Sequence, residues 1–266
     1  MVSLLAATGL PQYPARAMSS AERHDPTASR IQPNLETLDI ARLKSTFARQ
    51  NEFIAIDDCF SADAIAPLLD CLPSLEPRVH RNFIPRHKKG GSISRFDLDR
   101  YAPAFAELYR SEGLSELLCA LCNHSLKPCP DDDPHTYALY YYTEAGDHIG
   151  YHYDTSYYKG ARYTVLIGLV DESNCKLEYE LFRDDPERTQ LGTASLKPGT
   201  LVFFNGDKLW HRVTPCGENE RRIALTLEFV TSHEMNPLLR FVSNMKDSIA
   251  YFGFRQVFAK PDTPRE

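Results

Sequence analysis

The stretch from His148 to Glu228 decides the fold, and it opens His148-Ile-Gly-Tyr-His152-Tyr-Asp154-Thr-Ser-Tyr-Tyr158. It closes with Gly199-Thr-Leu-Val-Phe-Phe-Asn-Gly-Asp-Lys-Leu-Trp-His211-Arg-Val-Thr-Pro215 and a final run to Glu228. On an extended strand residues two apart point to the same side. His152 and Asp154 are therefore expected to grip one ion from one face while Tyr153 turns away. His211 closes the set from a distant strand. Arg162-Tyr-Thr-Val-Leu-Ile-Gly-Leu-Val170 is rich in β-branched residues and reads as a strand between them. Short strands separated by turns, with Pro198-Gly199 marking one of the turns, predict a double-sheet jelly roll.

His-x-Asp alone is a weak signal, and the run downstream of His211 strengthens it. Arg221-Arg222-Ile-Ala-Leu-Thr-Leu-Glu-Phe-Val230 alternates with period two. One parity holds Ile223, Leu225, Leu227 and Phe229, a face for packing. The other holds Arg222, Ala224, Thr226 and Glu228, a face for a cavity. A buried arginine needs an anionic partner, and its planar fork suits a carboxylate. The same parity sets Arg221 aside as the alternative cation.

Two imidazoles and one carboxylate with open positions form the facial triad that suits non-haem Fe(II). With it, in order, the chain carries Tyr142 and Gly146, His152-x-Asp154, Gly199-Thr-Leu-Val-Phe-Phe204, His211-Arg-Val-x-Pro215 and Arg222. Over roughly residues 137–230 these features resemble the Fe(II)/2-oxoglutarate-dependent dioxygenase superfamily. The resemblance implies a mainly β protein with flanking helices (α+β) around a double-stranded β-helix, the jelly-roll or cupin-like core. It implies Fe(II) held by His152, Asp154 and His211, with 2-oxoglutarate as co-substrate and O2 as oxidant. Arg222 then binds the distal carboxylate of 2-oxoglutarate. Tyr142, or Tyr140 on the same parity, makes a second contact. The implied reaction is hydroxylation of an unactivated C–H bond with release of succinate and CO2.

Gly146-Asp-His148 through Arg162-Tyr-Thr-Val-Leu166 further resembles a group that hydroxylates or halogenates free amino acids such as lysine. Halogenases of that group lack the metal carboxylate, where chloride binds instead. Asp154 fills that position, so the resemblance implies a hydroxylase. Candidate substrate contacts are His148 for a carboxylate, Glu228 for an ammonium group, Thr226, and Trp210 as a cavity wall. Each has a plain alternative in packing, a salt bridge or a loop position. Other readings stay open: a peptide or protein side chain as substrate, desaturation or cyclisation, a cupin-like metalloenzyme without 2-oxoglutarate, and an inactive binding module.

The chain has 266 residues, net charge −6, seven cysteines and no apolar run of membrane-spanning length. That balance favours neither nucleic acid nor an anionic membrane as partner. The odd cysteine count suits reduced thiols and a cytoplasmic location. One domain over residues 31–266 is expected, with the barrel core at about 136–231. Residues 1–30, rich in Ala, Ser, Pro and Arg, read as a disordered tail; Met1 to Leu10 lacks a basic segment before it and makes a poor secretory signal.

Leu35 to Gln50 reads as an amphipathic helix, Phe53 to Ile56 as a strand, and Ser61 as the cap of a helix ending near Pro73. Arg78 to Arg95 is basic and glycine-containing. It reads as a surface loop, or as a lid carrying Arg95 to an anionic substrate group. Tyr101 to Asn123 is helical in two pieces, with Cys119 and Cys122 as small core residues rather than zinc ligands. Strands are expected over residues 136–143, 176–182 and 200–204. A C-terminal helix at about 237–252 offers a surface for homo-oligomerisation.

Overall fold

The computed structural model describes residues 31–234, apart from 132, 134, 135 and 157. The expected N-terminal tail and C-terminal helix lie outside the described residues. Helices are α1 (Ile40–Arg49), α2 (Ala62–Leu75), α3 (Arg95–Tyr101), α4 (Ala104–Tyr109) and α5 (Glu112–Cys122). Strands are β1 (Phe53–Ile56), β2 (His80–Ile84), β3 (Lys88–Ser94), β4 (Lys127–Pro128), β5 (Tyr137–Tyr142) and β6 (His148–His152). They continue as β7 (Arg162–Glu172), β8 (Leu177–Leu181), β9 (Gln190–Ala194), β10 (Leu201–Asn205), β11 (Trp210–Val213) and β12 (Arg221–Val230). No helix among the described residues is long and apolar enough to cross a membrane.

The strands form one antiparallel path, β1-β10-β7-β12-β5-β3-β6-β11-β8-β9, with β2 on β3 and β4 on β12. The path folds back on itself. Phe53 on β1 packs its ring 4.1 Å from that of Tyr179 on β8, although these strands lie near opposite ends of the path. Val202, Phe204, Leu177, Leu181 and Ala224 fill the space between the two halves. The result is the nearly closed jelly roll expected from the spacing of strands and turns.

Period-two burial sorts the residues between two layers. Tyr163, Val165, Ile167 and Leu169 of β7 face outward, together with Leu201 and Phe203 of β10. So do Ile223, Leu225, Leu227 and Phe229 of β12. All pack into one core with α1, α2, α4 and α5. Arg162, Thr164 and Leu166 of β7 take the opposite, cavity-facing side, as do Arg222, Ala224, Thr226 and Glu228 of β12.

Three local expectations are corrected, and one strand is added. Leu35–Thr37 forms a separate 3-10 turn, and α1 starts at Ile40 because Asp39 accepts the Arg42 N–H at 3.0 Å as its cap. Helix α2 does not stop at Pro73 but runs to Leu75. A proline inside a helix costs about 3 kcal/mol. Leu72 and Leu75 are buried on its inner face, and two such side chains contribute about 3–6 kcal/mol. The Arg78–Arg95 stretch is neither a loop nor a lid. It folds as the β2–β3 hairpin, and β3 is an interior strand between β5 and β6. Strand β9 had no sequence signal: Gln190-Leu-Gly-Thr-Ala is exposed or half-buried, and β8 is its one strand partner among the described residues.

Candidate metal centre and cavity

His152 and His211 sit directly opposite each other where β6 pairs with β11. Directly opposed residues of an antiparallel pair project from the same face, and the two imidazole centroids lie 4.3 Å apart. Each ring is oriented by a backbone carbonyl: His152 Nδ1 lies 2.8 Å from Gly150 O, and His211 Nδ1 3.0 Å from Leu209 O. A carbonyl oxygen only accepts, so each Nδ1 carries the proton and each Nε2 presents a lone pair. Asp154 completes the set. Its Oδ1 lies 3.3 Å from His152 Nε2 and its Oδ2 3.8 Å from His211 Nε2. One donor atom from each residue lies within 4.8 Å of the others.

His152, Tyr153 and Asp154 do not share one strand, which corrects the expectation drawn from their spacing. Strand β6 ends at His152, so Asp154 belongs to the next segment and Tyr153 lines the cavity instead of turning away. Three contacts hold that segment. The Thr164 hydroxyl reaches Asp154 Oδ2 at 2.8 Å, and Ser156 N donates to Asp207 Oδ1 at 2.9 Å. The backbone at Gly206 comes so close that a Cβ there would lie 2.6 Å from Asp154 O. Only glycine admits this approach.

Charge is set by burial and neighbours. Burial works against ionisation of Asp154, but His211, His152 and Arg162 outweigh it and hold the carboxyl far below its usual range. Burial and the facing His152 lower the His211 pKa to about 4. Burial also pulls His152 down, yet in its protonated form the ring's Nε2–H hydrogen bond and charge interaction with Asp154 leave the pKa raised, and a cation at the site replaces that proton. Two neutral-ready nitrogens and one carboxylate fit a divalent cation with positions left open.

These ligands line a cavity of about 250 Å³ with Arg222, Tyr140, Tyr142, Ala224, Thr226 and Glu228. Register explains the company. Arg222 pairs with Tyr142 and Ala224 with Tyr140 across β12 and β5, so both tyrosines share the cavity face. The Arg222 guanidinium lies 4.9 Å from the Tyr142 ring centroid, while Arg221 ion-pairs with Glu76 elsewhere. Arg222 is 1% exposed, and its Nε and Nη1 have no hydrogen-bond partner among the described residues. Burial, opposed by Arg222, raises the Tyr142 hydroxyl to about 12, so it stays protonated as a donor. A buried cation with unused donors fits an incoming carboxylate. Lys88, buried and with its amine over the Tyr140 ring at 4.6 Å, flanks the same end; burial drives its pKa well down.

At the other end Arg162 Nε donates to Glu228 Oε2 at 2.9 Å, and Thr164 Oγ1 lies 3.0 Å from the same oxygen. Burial lifts Glu228 to about 7, with Arg162 opposing and Asp154 adding to the rise.

Three expected contacts lie outside the cavity lining. Arg95 is buried among Thr136, Asp99 and Asp131 at the start of α3, where it ties that helix to β5 and the loop before it. His148 bonds Gly146 O through Nδ1. Trp210 turns to the outer face of β11, stacked on Tyr151 with centroids 5.8 Å apart, because strand alternation gives the inner face to His211. Arg162, Thr164, His87 and Thr155 belong to the site without having been singled out from sequence. The first two carried a usable signal: Arg162 and Thr164 alternate with apolar Tyr163 and Val165, the pattern that exposed β12.

No family model matches the chain, and no curated protein matches it. Solved structures do. The epimerase SnoN, in complex with Fe3+, alpha ketoglutarate and nogalamycin RO, aligns with TM-score 0.63 and 13% identity over 85% of this chain and 92% of its own. A prolyl hydroxylase from Trichoplax adhaerens, in complex with a hypoxia inducible factor peptide fragment, aligns with TM-score 0.59 and 15% identity, covering 77% and 96%. An oxidoreductase of the 2OG-Fe(II) oxygenase family from Burkholderia pseudomallei gives TM-score 0.56 and 12% identity, covering 76% and 95%. The likeness at these identities is one of fold. The chain has the double-stranded β-helix of the iron- and 2-oxoglutarate-dependent oxygenases, with a His-Asp-His set inside it.

Proposed function

We propose that this chain is an Fe(II)- and 2-oxoglutarate-dependent oxygenase that hydroxylates a C–H bond of a small molecule, a free amino acid. The observation that carries this reading is Arg222: a buried cation with two N–H donors that have no partner among the described residues, in the same cavity as a facial His152–Asp154–His211 set. In this reading the triad holds iron, and Arg222 with Tyr142 and Tyr140 holds the distal carboxylate of the keto acid. When bound, iron with 2-oxoglutarate and O2 supplies the oxidising equivalent for C–H hydroxylation, with succinate and CO2 released.

The chain's own residues do the rest. Gly150 O and Leu209 O fix the two imidazoles, and Thr164 fixes the carboxylate. Leu166, Leu177, Ile149 and Val213 give the cavity a water-excluding wall. The Arg162–Glu228 pair carries both signs side by side at the end away from Arg222, which suits a zwitterionic head group: ammonium toward Glu228, carboxylate toward Arg162. Thr226 adds a hydroxyl on the same face. Asp154 occupies the position that halogenases of the resembling group leave to chloride, so hydroxylation is the outcome proposed.

A second reading takes a peptide or protein side chain as substrate. Tyr153 favours it, since its ring lines the cavity and also packs 4.9 Å from Trp210 on the outer face, an aromatic path leading out of the cavity. Anaerobic loading with Fe(II) and 2-oxoglutarate, then O2 and a panel of amino acids, tests both. Succinate coupled to a gain of one oxygen supports the first reading, and loss of two hydrogens redirects it to desaturation or cyclisation. A panel in which no amino acid raises succinate above background removes the amino-acid assignment. No keto-acid decarboxylation under any condition removes the oxygenase.

A further inference from the structure

A second group of metal-ligating side chains lies behind the wall of the cavity. Strands β8 and β11 pair Leu177 with Val213, and Lys176 and Thr214 extend the ladder through bonds of 3.0 and 2.8 Å. The chain segments next to them therefore meet beyond the strand ends. They carry Cys175, fully buried, and Cys216, 3% exposed. Glu220 comes round on the next turn. Its carboxylate is held by Gly217 N at 2.7 Å and by Asn174 N and Nδ2 at 3.1 and 2.6 Å. The two Sγ atoms and a Glu220 oxygen lie within 4.8 Å of one another.

We propose that Cys175, Cys216 and Glu220 form a second metal site, one that takes a soft divalent cation of the Zn2+ type and is separate from the His152–Asp154–His211 centre. Donor chemistry sorts the two sites. Thiolates favour Zn2+ over hard cations, whereas two imidazoles and a carboxylate suit Fe(II). Tetrahedral ligation with Zn–S near 2.3 Å places sulfurs about 3.8 Å apart, so with the donors within 4.8 Å of one another closing the site needs a movement of at most about 1 Å. The three hydrogen bonds that Glu220 accepts, two on Oε1 and one on Oε2, leave a lone pair on Oε2 and orient the carboxylate, as outer partners of a metal ligand do. Glu220 also gives an entry path, being the solvent-facing member of the three.

Burial and the neighbouring Cys175 raise the Cys216 thiol to about 12, so without metal Cys216 keeps its proton and is a poor target for peroxide. A bound cation reverses this: two S–H bonds give up their protons as two M–S bonds form, and two protons leave to solvent. The site touches the cavity wall. Both cysteines share one buried cluster with Tyr142, Ile149 and Val213, and Cys216 Sγ donates to Tyr142 O at 3.4 Å. Loading the site withdraws that donor from the strand that carries Tyr142. An effect on keto-acid binding rests on the role proposed above for Arg222 and Tyr142; the metal site itself does not.

The test uses the full chain, stripped with chelator and reduced, and titrated with Cd2+ as a spectroscopic stand-in for Zn2+. The expected result is an ultraviolet sulfur-to-cadmium charge-transfer band that saturates at about one ion per chain, with about two protons released at neutral pH. Zn2+ displaces the band. Cys175→Ser and Cys216→Ser abolish it, and His211→Ala, which disables the other centre, retains it. Absence of the band in the wild-type chain, a reading that needs no variant to fold, overturns the proposal. So does a band that survives in folded Cys175→Ser, since other cysteines would then be responsible.

Discussion

Replacing Arg222 by Met should move stability and co-substrate binding in opposite directions. In the ligand-free protein two of its N–H groups are buried without an acceptor among the described residues. A buried unsatisfied donor costs about 1–3 kcal/mol, more when charged. Arg222→Met removes both donors at nearly constant volume and loses one hydrogen bond to Tyr142, worth about 1 kcal/mol. The net expectation is a gain of about 1 kcal/mol or more, which at this chain length raises Tm by about 2–4 °C per kcal/mol. The same change leaves the distal carboxylate of 2-oxoglutarate buried without a cation. Truncating one member of a buried charge pair costs about 2–5 kcal/mol, roughly 30- to 4,000-fold in Kd. Thermal denaturation of Mn2+-loaded protein without O2, across a 2-oxoglutarate series, reads both effects. The wild-type Tm should climb with ligand, while the variant should start higher and stay flat over the same range. A variant that melts lower than wild type when ligand-free, or that still climbs with 2-oxoglutarate, refutes the reasoning.

Glu228, lifted from its usual 4.5 to about 7, holds a proton in the folded state that the unfolded chain releases between those values. Its contribution to stability is thus complete below about pH 4.5 and lost as pH rises through about 7, on the order of 3 kcal/mol at most. Urea midpoints of metal-free wild type and Glu228→Gln should agree near pH 4.5 and favour the variant at pH 8. His211 slopes the other way, but it is common to both proteins and cancels; a difference that is the same at both pH values would count against the assignment. Gly206→Ala puts a Cβ 2.6 Å from Asp154 O and 2.9 Å from Asp154 Cβ. Overpacking of this kind costs about 1–3 kcal/mol, and Co2+ affinity measured by titration should fall at least tenfold with the displaced carboxylate. An unchanged affinity would show that Asp154 can ligate from elsewhere. Amides of β3 should exchange slowly with and without 2-oxoglutarate, as expected for an interior strand. Ligand-dependent protection there would reinstate a closing segment.

The sequence by itself determined the elements whose burial has a period. Ile223, Leu225, Leu227 and Phe229 against Arg222, Ala224, Thr226 and Glu228 is legible because a strand has two faces and each residue type suits one of them. That pattern was enough to choose Arg222 over Arg221, and short strands separated by turns, with His152, Asp154 and His211 in order, were enough to predict the jelly roll. Tertiary structure alone decided the elements that lacked such a signal. Glycines and lysines disguised β3, whose strand character comes from its neighbours β5 and β6. Pro73 reads as a stop, yet burial of Leu72 and Leu75 outweighs it. Arg95 and Arg162 are both buried arginines, and only packing places one against Asp99 and the other beside Glu228 in the cavity. Period two says which side of its own strand a side chain takes, but which cavity that side faces depends on how the sheet closes, a long-range property that local spacing does not contain.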